Sequence, residues 1–372
     1  MVNQVIIIAA ISSRAYVQAA VEAGFEVIAI DCFADVDTQL IAKKVIQIDA
    51  HQGQFDAKQL LNALNQLKLN NCIGFTYGAG FEAQPDLLDE IALILPIIGN
   101  HAEAIKQCKQ PQSFFALCDL FAMPYPKTVF EKPSNTIGWL QKTIGASGGE
   151  HIKTVFPLNL GPFNFFPLNL GLSPAVYYQK IQAGTPISCL FLADGNKALI
   201  IGFNEQWCSS TLLSPYRFGG AVSQMLLSEI AQNKLMEFIA AITQNFALKG
   251  LNSCDFLLQG DDVFMLEINP RLSASVGLYQ AKRGNLFASH VSACLGQLSD
   301  WPVIDKKSRA IQIIYANKQA KVPVDMDWPE WVSDIPQPNS VIPAGMPICS
   351  VIAEARTVKL AKKKVLQRAA SL

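Results

Sequence analysis

One short stretch, DFLLQGDDVFMLEINPR at residues 255–271, begins with an acid and ends with a Glu-x-Asn-x-Arg pattern. Apolar residues on either side of its QGDD turn predict two short strands joined as a hairpin. Glu267 and Asn269 should share one strand face, and the hairpin brings Asp255, at the start of the first strand, within their reach. Each acid alone is more often an ordinary strand-end acid. Together, two carboxylates and an amide oxygen favour a site for a hard cation such as Mg²⁺.

A second stretch, WLQKTIGASGGEHI at residues 139–152, combines a lysine with a glycine-rich loop. Trp139 and Leu140 are predicted to end a strand. Lys142 is predicted to lie beyond the end of that strand. The GASGG loop offers backbone N–H groups with little obstruction, so it could fold over a polyphosphate that the lysine neutralises. It is not a P-loop, because the lysine precedes the glycines. The same composition is typical of a flexible hairpin tip, and the loop alone leaves both interpretations open.

Strand-like and helix-like segments alternate through the first hundred residues. The predicted strands are QVIIIAA, FEVIAIDCF, KVIQIDA and CIGFTYG, and the predicted helices between them include RAYVQAAVEAG and DAKQLLNALNQLKL. This βαβα pattern predicts an open parallel sheet. The first strand–helix turn, AAISSRA, lacks the glycine fingerprint of a dinucleotide site.

The remainder of the chain is predicted to form further helices and a mixed body. HAEAIKQCKQPQSFFALCDLF is expected to be one helix, KLMEFIAAITQNFAL a helix packed on the core, and RTVKLAKKKVLQRAASL a basic helix. FPLNLG occurs at 156–161 and again at 166–171, which indicates a loop insertion or local duplication and not a solenoid.

Composition excludes several classes of protein. The chain has 372 residues, half of them hydrophobic, which allows a large core and two or three domains. Its 30 acids balance its 30 bases, so charge gives no case for nucleic acid or an anionic membrane. The N-terminal apolar run has no basic residue before it and predicts a strand, not a signal peptide. Nine cysteines without a CxxC pair predict reduced core thiols, and the expected location is the cytoplasm.

The lysine–glycine loop followed by the Asp…Glu-x-Asn-x-Arg pattern resembles the ATP-grasp superfamily, and the resemblance extends over most of the chain. GFTYGAGFEAQPDLL and IIGN look like the end of the domain that precedes ATP-grasp in amino-acid and carboxylate ligases. The resemblance implies an α/β and α+β fold with an N-terminal parallel-sheet domain, a small lid subdomain and a larger C-terminal subdomain. The implied ranges are 1–100 for the N-terminal domain, 101–185 for the first subdomain with its mobile lid, 186–300 for the subdomain with the metal-binding strands, and 301–372 for a small C-terminal α/β segment.

The resemblance also implies which residues bind ATP. Lys109 and Lys142 match the two nucleotide-binding lysines, and VYYQKIQAGTPIS looks like the hinge that faces adenine. The ATP-binding residues implied in this way are Lys109, Lys142, Ser147, Gly148, Gly149, Gln179, Lys180, Ile181 and Ser188. Many relatives carry hinge acids where this chain has Gln179 and Ser188, which leaves the nucleotide preference open.

Phosphoryl transfer to a carboxylate brings two anions together, so catalysis needs positioning and cationic neutralisation. Lys142 and Arg271 are the predicted catalytic residues, with Arg271 suited to an acyl phosphate or a tetrahedral oxyanion. The predicted substrate residues are Arg217, Glu82 and Ser273. Arg217 is equally typical of a surface or helix-capping arginine, whereas an acid at the position of Glu82 more commonly starts a helix. The histidines have no ligand spacing and receive no role: His51, His101, His151 and His290.

The implied activity is an ATP- and Mg²⁺-dependent carboxylate–amine ligase that acts through an acyl phosphate, with Mn²⁺ as an alternative metal. The tail SDIPQPNSVIPAGMPICSVIAEA is similar to that of a subgroup, related to biotin carboxylase, that includes tyramine–glutamate ligase and is linked to methanopterin and methylofuran biosynthesis. Addition of glutamate to a tyramine-, furan- or pterin-type precursor is the most specific activity implied. The alternatives are a carboxylase acting on bicarbonate and a non-catalytic ATP-binding protein. The expected partners are a carboxylic acid and an amine, without nucleic acid or membrane, and a homodimer is left open.

Overall fold

A computed structural model describes residues 4–155, 175–298 and 300–372. The helices are α1 (Arg14–Glu22), α2 (Val36–Ile41), α3 (Ala57–Asn65), α4 (Asp86–Ala92), α5 (Ala102–Lys109), α6 (Pro111–Leu120), α7 (Glu229–Phe246), α8 (Leu286–Cys294) and α9 (Val358–Ala370), with a 3-10 helix at Ala274–Leu278. The strands are β1 (Val5–Ala10), β2 (Glu26–Asp31), β3 (Lys44–Gln47), β4 (Ala50–His51), β5 (Gln54–Phe55), β6 (Cys72–Tyr77), β7 (Thr128–Val129), β8 (Trp139–Thr143), β9 (Lys153–Thr154), β10 (Val176–Lys180), β11 (Thr185–Asp194), β12 (Ala198–Cys208), β13 (Phe218–Ser223), β14 (Lys249–Gln259), β15 (Asp262–Asn269), β16 (Ala281–Arg283), β17 (Val303–Ile304), β18 (Ser308–Tyr315), β19 (Ala320–Lys321), β20 (Val332–Ser333), β21 (Val341–Ile342) and β22 (Pro347–Ala355).

The N-terminal region forms the predicted parallel sheet, with strand order β3-β2-β1-β6. The central strand β1 is buried throughout, because helices cover both faces of the sheet. Ile7 and Ala9 pack with α3 and α4 on one face, while Ile6 and Ile8 pack with α1 on the other. The prediction of an open parallel sheet is therefore confirmed.

The single helix expected over residues 101–121 is wrong: the structure has two helices, α5 and α6, that meet at Gln110. Proline disfavours helical backbone in the residue before it and has no N–H to donate. Gln110 accordingly adopts an extended conformation, with φ −80° and ψ 110°, and Pro111 starts α6. This break makes Lys109 the last residue of α5.

A small antiparallel sheet follows, with strand order β7-β10-β8-β9. The expectation that Lys142 leaves a strand ending at Leu140 is also wrong, because β8 continues to Thr143. Lys142 pairs with Tyr177 of β10 inside this sheet. Its backbone is therefore fixed by strand pairing, and the glycine-rich loop begins after it.

The largest sheet has eight strands in the order β15-β14-β11-β12-β13-β18-β22-β20. Strands β14 and β15 form the expected hairpin. However, β14 begins at Lys249, so Asp255 lies inside the strand and not at its start. The sequence did not indicate the earlier start of β14, because Asn252 and Ser253 are polar residues that are nevertheless buried. The Asn252 side chain accepts a hydrogen bond from Asn100 Nδ2 at 2.7 Å.

Strands from the middle and from the C-terminal part of the chain belong to the same large sheet. Helix α7 packs Leu235, Phe238 and Ile242 on one face of the sheet, as expected for a core helix. Strands β18, β20 and β22 extend the sheet, and α9 covers them through Ala361 and Val365. Residues beyond 301 thus share a sheet with residues 186–300, and the four domain ranges stay a prediction.

Other expectations have mixed outcomes. Both FPLNLG segments lie outside the described residues. Most cysteines are at least partly buried, but Cys208 at the end of β12 is exposed, so it is not the core thiol that was expected. In the parts of the chain that the structure describes, no helix has the length and apolar character needed to cross a membrane.

Candidate active site

The hairpin of β14 and β15 brings the predicted metal ligands together. Asp255 lies directly opposite Glu267, and Asn269 is two residues further along β15 on the same face. The Asn269 amide Nδ2 donates to Asp255 Oδ2 at 2.9 Å and to Glu267 Oε1 at 3.5 Å. Three oxygen-bearing side chains therefore converge at one point on the wall of a cleft of about 2720 Å³.

The two carboxylates have opposite pKa shifts. Burial, together with the charge of Glu267, raises the pKa of Asp255. Burial alone would also raise the pKa of Glu267, but the Lys109 ammonium outweighs it and lowers that pKa. Glu267 therefore carries the negative charge of the pair, and Asp255 is the carboxylate that is protonated more easily.

Lys109 reaches this oxygen cluster from the end of α5. Its Nζ atom donates to Asn269 Oδ1 at 2.7 Å and to Glu267 Oε2 at 3.0 Å. The Lys109 side chain is buried, whereas its ion-pair partner Glu267 is 34% exposed and faces the cleft. Lys109 is therefore in direct contact with two predicted metal ligands, and its role in nucleotide binding stays a prediction.

Lys142 is the second lysine of the cleft. It is buried, and its Nζ donates to Gln179 Oε1 at 2.7 Å. Gln179 in turn donates from Nε2 to Thr128 Oγ1 at 3.0 Å. Burial lowers the pKa of Lys142 to about 8. Within the described residues no carboxylate pairs with this ammonium, so the cleft holds a cation that lacks its anion.

The other predicted hinge residues lie on β10 and β11. Lys180 is exposed and donates from Nζ to the Ile137 carbonyl at 2.8 Å. Ile181 follows it and is half exposed, and both residues line the cleft. Ser188 is buried opposite Asp255, and its Oγ accepts from Asn204 Nδ2 at 3.0 Å. Ser188 is therefore beside the predicted metal ligand Asp255, while Lys180 and Ile181 are exposed.

The loop at residues 144–152, here called the lid loop, lines the cleft and holds Ser147, Gly148 and Gly149. The Phe218 N–H donates to the Gly148 carbonyl at 3.0 Å. Gly149 has φ +81°, and a Cβ atom there would lie 2.0 Å from the Tyr216 carbonyl oxygen. A side chain at Gly149 would thus prevent the contact that the lid loop makes with the large sheet.

Arg271 and Glu82 form a buried ion pair at the base of the cleft, with Arg271 Nε 2.7 Å from Glu82 Oε1. The other oxygen of Glu82 accepts the N–H groups of Gly80 and Phe81. Burial acts to raise the pKa of Glu82, but Arg271 and Lys109 outweigh it and lower that pKa. Glu82 is thus a partner of the predicted catalytic arginine and does not start a helix.

Arg217 and Ser273 also line the cleft. Arg217 is buried, which excludes the surface alternative, and its guanidinium lies 3.6 Å from the ring centroid of Tyr315. It donates to the Ser209 and Gly345 carbonyl oxygens at 3.1 and 2.9 Å. Ser273 caps the 3-10 helix, where its Oγ accepts from Ser275 Oγ at 3.0 Å.

His151 is a cleft residue that no sequence pattern identified. It lies at the end of the lid loop, lines the cleft, and its buried Nδ1 has no hydrogen-bond partner among the described residues. Burial lowers its pKa, while the charge of Glu267 acts in the opposite direction. No spacing pattern could reveal it, because tertiary contacts such as that between Phe218 and Gly148 place the lid loop at the site.

The donor set fits Mg²⁺ and a polyphosphate. Asp255, Glu267 and Asn269 provide hard oxygen ligands, and Mg²⁺ ordinarily completes its shell with water and phosphate oxygens. Across residues 4–155, 175–298 and 300–372, no three His, Cys, Asp or Glu side chains gather as a metal site, so such an ion would rely on two carboxylates and the amide oxygen. The unpaired Lys142 ammonium and the His151 Nδ1 atom are suited to phosphate oxygens.

Comparison with known proteins identifies the fold. Residues 114–275 match the family model of the ATP-grasp domain. An uncharacterized protein of Methanocaldococcus jannaschii is 24% identical over 358 residues, which cover 92% of this chain and 86% of that protein.

Solved structures match nearly the whole chain. The biotin carboxylase domain of Hydrogenobacter thermophilus 2-oxoglutarate carboxylase, a dimer in complex with MgADP, ADP and bicarbonate, has a TM-score of 0.70 and 10% identity, covering 98% of this chain and 89% of that one. L-amino acid ligase from Bacillus licheniformis has a TM-score of 0.68 and 11% identity, covering 98% of this chain and 96% of that one. The ATP-grasp fold, with a parallel N-terminal sheet and a large antiparallel sheet, is therefore confirmed.

Proposed function

We propose that this ATP-grasp chain is an ATP- and Mg²⁺-dependent ligase that joins a carboxylic acid to an amine through an acyl phosphate. The observation that carries the proposal is the convergence of Lys109, Asp255, Glu267 and Asn269 on one wall of a cleft that the lid loop also lines. A fold alone does not require buried charges to meet at a single point, since such charges are costly unless they serve a ligand.

The residues divide the chemistry of the transfer between them. Lys109 and Lys142 neutralise the phosphates of ATP, and Asp255, Glu267 and Asn269 hold Mg²⁺. A metal held by these three side chains would supply positive charge that offsets the repulsion between the phosphates and the carboxylate. The lid loop excludes water, which would otherwise hydrolyse an acyl phosphate.

Arg271 is suited to the oxyanion that develops when the amine attacks. Its Nε bond to Glu82 fixes the plane of the guanidinium, so the remaining N–H groups have a defined direction. A cation that is already oriented needs no reorganisation during the reaction. Glu82 is therefore proposed to position Arg271, and not to bind the substrate directly.

Arg217 is proposed to bind a carboxylate of a substrate. It is a buried cation that lines the cleft, and no acidic partner lies within ion-pair distance among the described residues. Ser273 lines the same cleft beside Arg271 and can offer its hydroxyl group to that substrate. The resemblance of the C-terminal tail to tyramine–glutamate ligase makes glutamate the first acid to test, with tyramine-, furan- and pterin-type amines.

The test is ADP release by the purified protein with ATP, Mg²⁺ and pairs of acids and amines, together with mass spectrometry of the product. The proposal expects release that needs both substrates and a product with the mass of acid plus amine less water. Release with bicarbonate alone would instead support a carboxylase. ATP binding without turnover across the whole panel would support a non-catalytic protein.

A matched pair of variants assigns the activity to this site. Glu267→Gln removes the charge of one metal ligand at almost constant volume and should lower turnover at least about 100-fold. Glu237→Gln makes the same change at an exposed position on α7 and should leave turnover unaltered. Equal activity in the two variants would remove Glu267 from the proposed mechanism.

A further inference from the structure

Lys109 occupies the oxygens that the proposed metal needs. Its ammonium lies 2.7 Å from Asn269 Oδ1 and 3.0 Å from Glu267 Oε2. These are hydrogen-bond distances, whereas Mg²⁺ binds oxygen at about 2.0–2.1 Å. An ammonium and a divalent cation cannot share two oxygens at such distances, because their charges repel each other.

Asn269 leaves little room for an alternative arrangement. Its Nδ2 atom donates to Asp255 Oδ2 at 2.9 Å, and this bond turns the amide oxygen towards Lys109. The metal can reach Asn269 Oδ1 only after Lys109 has released that atom. The Asn269 amide thus donates to both carboxylates through Nδ2 and accepts from Lys109 through Oδ1.

Lys109 cannot release these oxygens without another anion. The residue is buried, and an unpaired ammonium in such surroundings is strongly unfavourable. The charge of Glu82 also interacts with that of Lys109, but Glu82 is already paired with Arg271. On the proposed function, on which this step rests, the phosphates of the nucleotide are the anions that reach the same cleft.

We propose that Lys109 is a resident cation of the metal site, which excludes divalent metal until nucleotide phosphate draws its ammonium away from Glu267 and Asn269. The site is then stable without metal, because lysine neutralises Glu267. Metal and nucleotide bind with positive coupling, so each one tightens the binding of the other. Lys109 thus pairs with Glu267 in the free protein and with phosphate in the nucleotide-bound protein.

The test measures Mn²⁺ binding in the absence of nucleotide, by electron paramagnetic resonance of the free ion. The wild-type protein should show no Glu267-dependent binding up to about 1 mM, the weak end of the range for carboxylate sites. Lys109→Met and Lys109→Gln should each tighten Mn²⁺ binding about tenfold or more, because they remove the competing charge. Adding Glu267→Gln to either variant should abolish the gain.

Lys106→Met is the matched control. Lys106 lies one turn earlier on the same helix, is exposed, and pairs with Asp86 at 2.5 Å, away from the oxygen cluster. It should leave Mn²⁺ binding unchanged. Two variants at Lys109 are included because Lys109→Gln retains a hydrogen-bond donor where Lys109→Met could destabilise the fold.

The wild-type measurement alone can overturn the proposal. Tight, Glu267-dependent Mn²⁺ binding to the nucleotide-free wild-type protein would show that Lys109 does not exclude the metal, whether or not the variants fold. No substrate acid or amine is used, so the result is independent of ligase activity. A protein that binds metal only with ATP but joins no acid to an amine would retain this inference and lose the proposed function.

Discussion

Arg271 and Glu82 are joined by a buried ion pair, although they lie 189 residues apart in the chain. Their side chains are 10% and 4% exposed. Glu82 follows the last strand of the N-terminal parallel sheet, while Arg271 follows the hairpin that holds Asp255 and Glu267. The N-terminal region therefore forms one wall of the candidate active site and orients its arginine.

Glu82→Gln should lower the free energy of unfolding by about 3 kcal/mol, because it leaves the Arg271 guanidinium buried without its counter-charge. Glu26→Gln is the control, since the ion pair of Glu26 with Lys43 is exposed and its loss should cost less than about 1 kcal/mol. Urea unfolding compares the two variants. If both lie within about 0.5 kcal/mol of the wild type, the buried pair has no special weight in stability.

Gly149→Ala should reduce kcat/KM for ATP at least about tenfold, because the new methyl group would meet the Tyr216 carbonyl oxygen and hold the lid loop open. Gly148→Ala provides the control: it also has positive φ, at +75°, but its Cβ would enter open space. The backbone strain of about 1 kcal/mol is thus common to both variants, and only the contact differs. Equal losses of activity would mean that strain, and not lid closure, is responsible.

Lys142→Met should weaken the binding of a non-hydrolysable ATP analogue about tenfold or more, as expected when a charge-assisted contact to phosphate is lost. Lys132→Met, at an exposed position outside the cleft, should have no effect. The pKa of Lys142, which burial lowers to about 8, adds a pH dependence. The ammonium loses its proton as the pH rises through 8, so wild-type affinity should fall above that pH. Calorimetry checks this, and an unchanged slope in Lys142→Met would contradict the assignment.

His290 should make the fold sensitive to acid. Its Nδ1 accepts the Leu251 N–H at 2.9 Å, so the proton lies on Nε2, next to the Ile98 carbonyl oxygen and Thr76 Oγ1. Burial lowers its pKa from 6.5 to about 4. Between these values the unfolded chain binds the additional proton, so stability falls as the pH falls from 6.5 towards 4.

The size of this effect follows from the pKa shift. Between pH 7.5 and pH 5, His290 should account for a loss of about 2 kcal/mol of unfolding free energy. His290→Gln cannot take up that proton, so its loss over the same range should be smaller by this amount. Urea unfolding at both pH values measures the difference. Parallel losses in the two proteins would show that His290 is not the group responsible.

The sequence predicts those parts of the molecule that local patterns determine. Alternating apolar residues located the β14–β15 hairpin, and the strand–helix alternation located the parallel sheet. The break before Pro111 could have been predicted, since proline fixes the conformation of the preceding residue. The true start of β14 could not, because Asn252 looks like a loop residue until its buried partner, Asn100, is known.

The contacts within the site depend on pairs that are distant in sequence. Nothing in the sequence near Glu82 indicates that its partner is Arg271, and nothing near Lys109 indicates contact with Asn269. His151 has no spacing that suggests a role, because its burial results from the position of the lid loop. Such contacts arise from tertiary packing, which sequence periodicity does not encode.

The central claim is that Asp255, Glu267 and Asn269 hold a metal next to the phosphates of ATP. The most direct measurement is a crystal structure with Mn²⁺ and a non-hydrolysable ATP analogue, with anomalous scattering used to locate the metal. The prediction is an anomalous peak about 2.0–2.3 Å from oxygens of these three side chains, with Lys109 turned to the phosphates. A metal bound elsewhere in the cleft, with Lys109 still on Glu267 and Asn269, would contradict it.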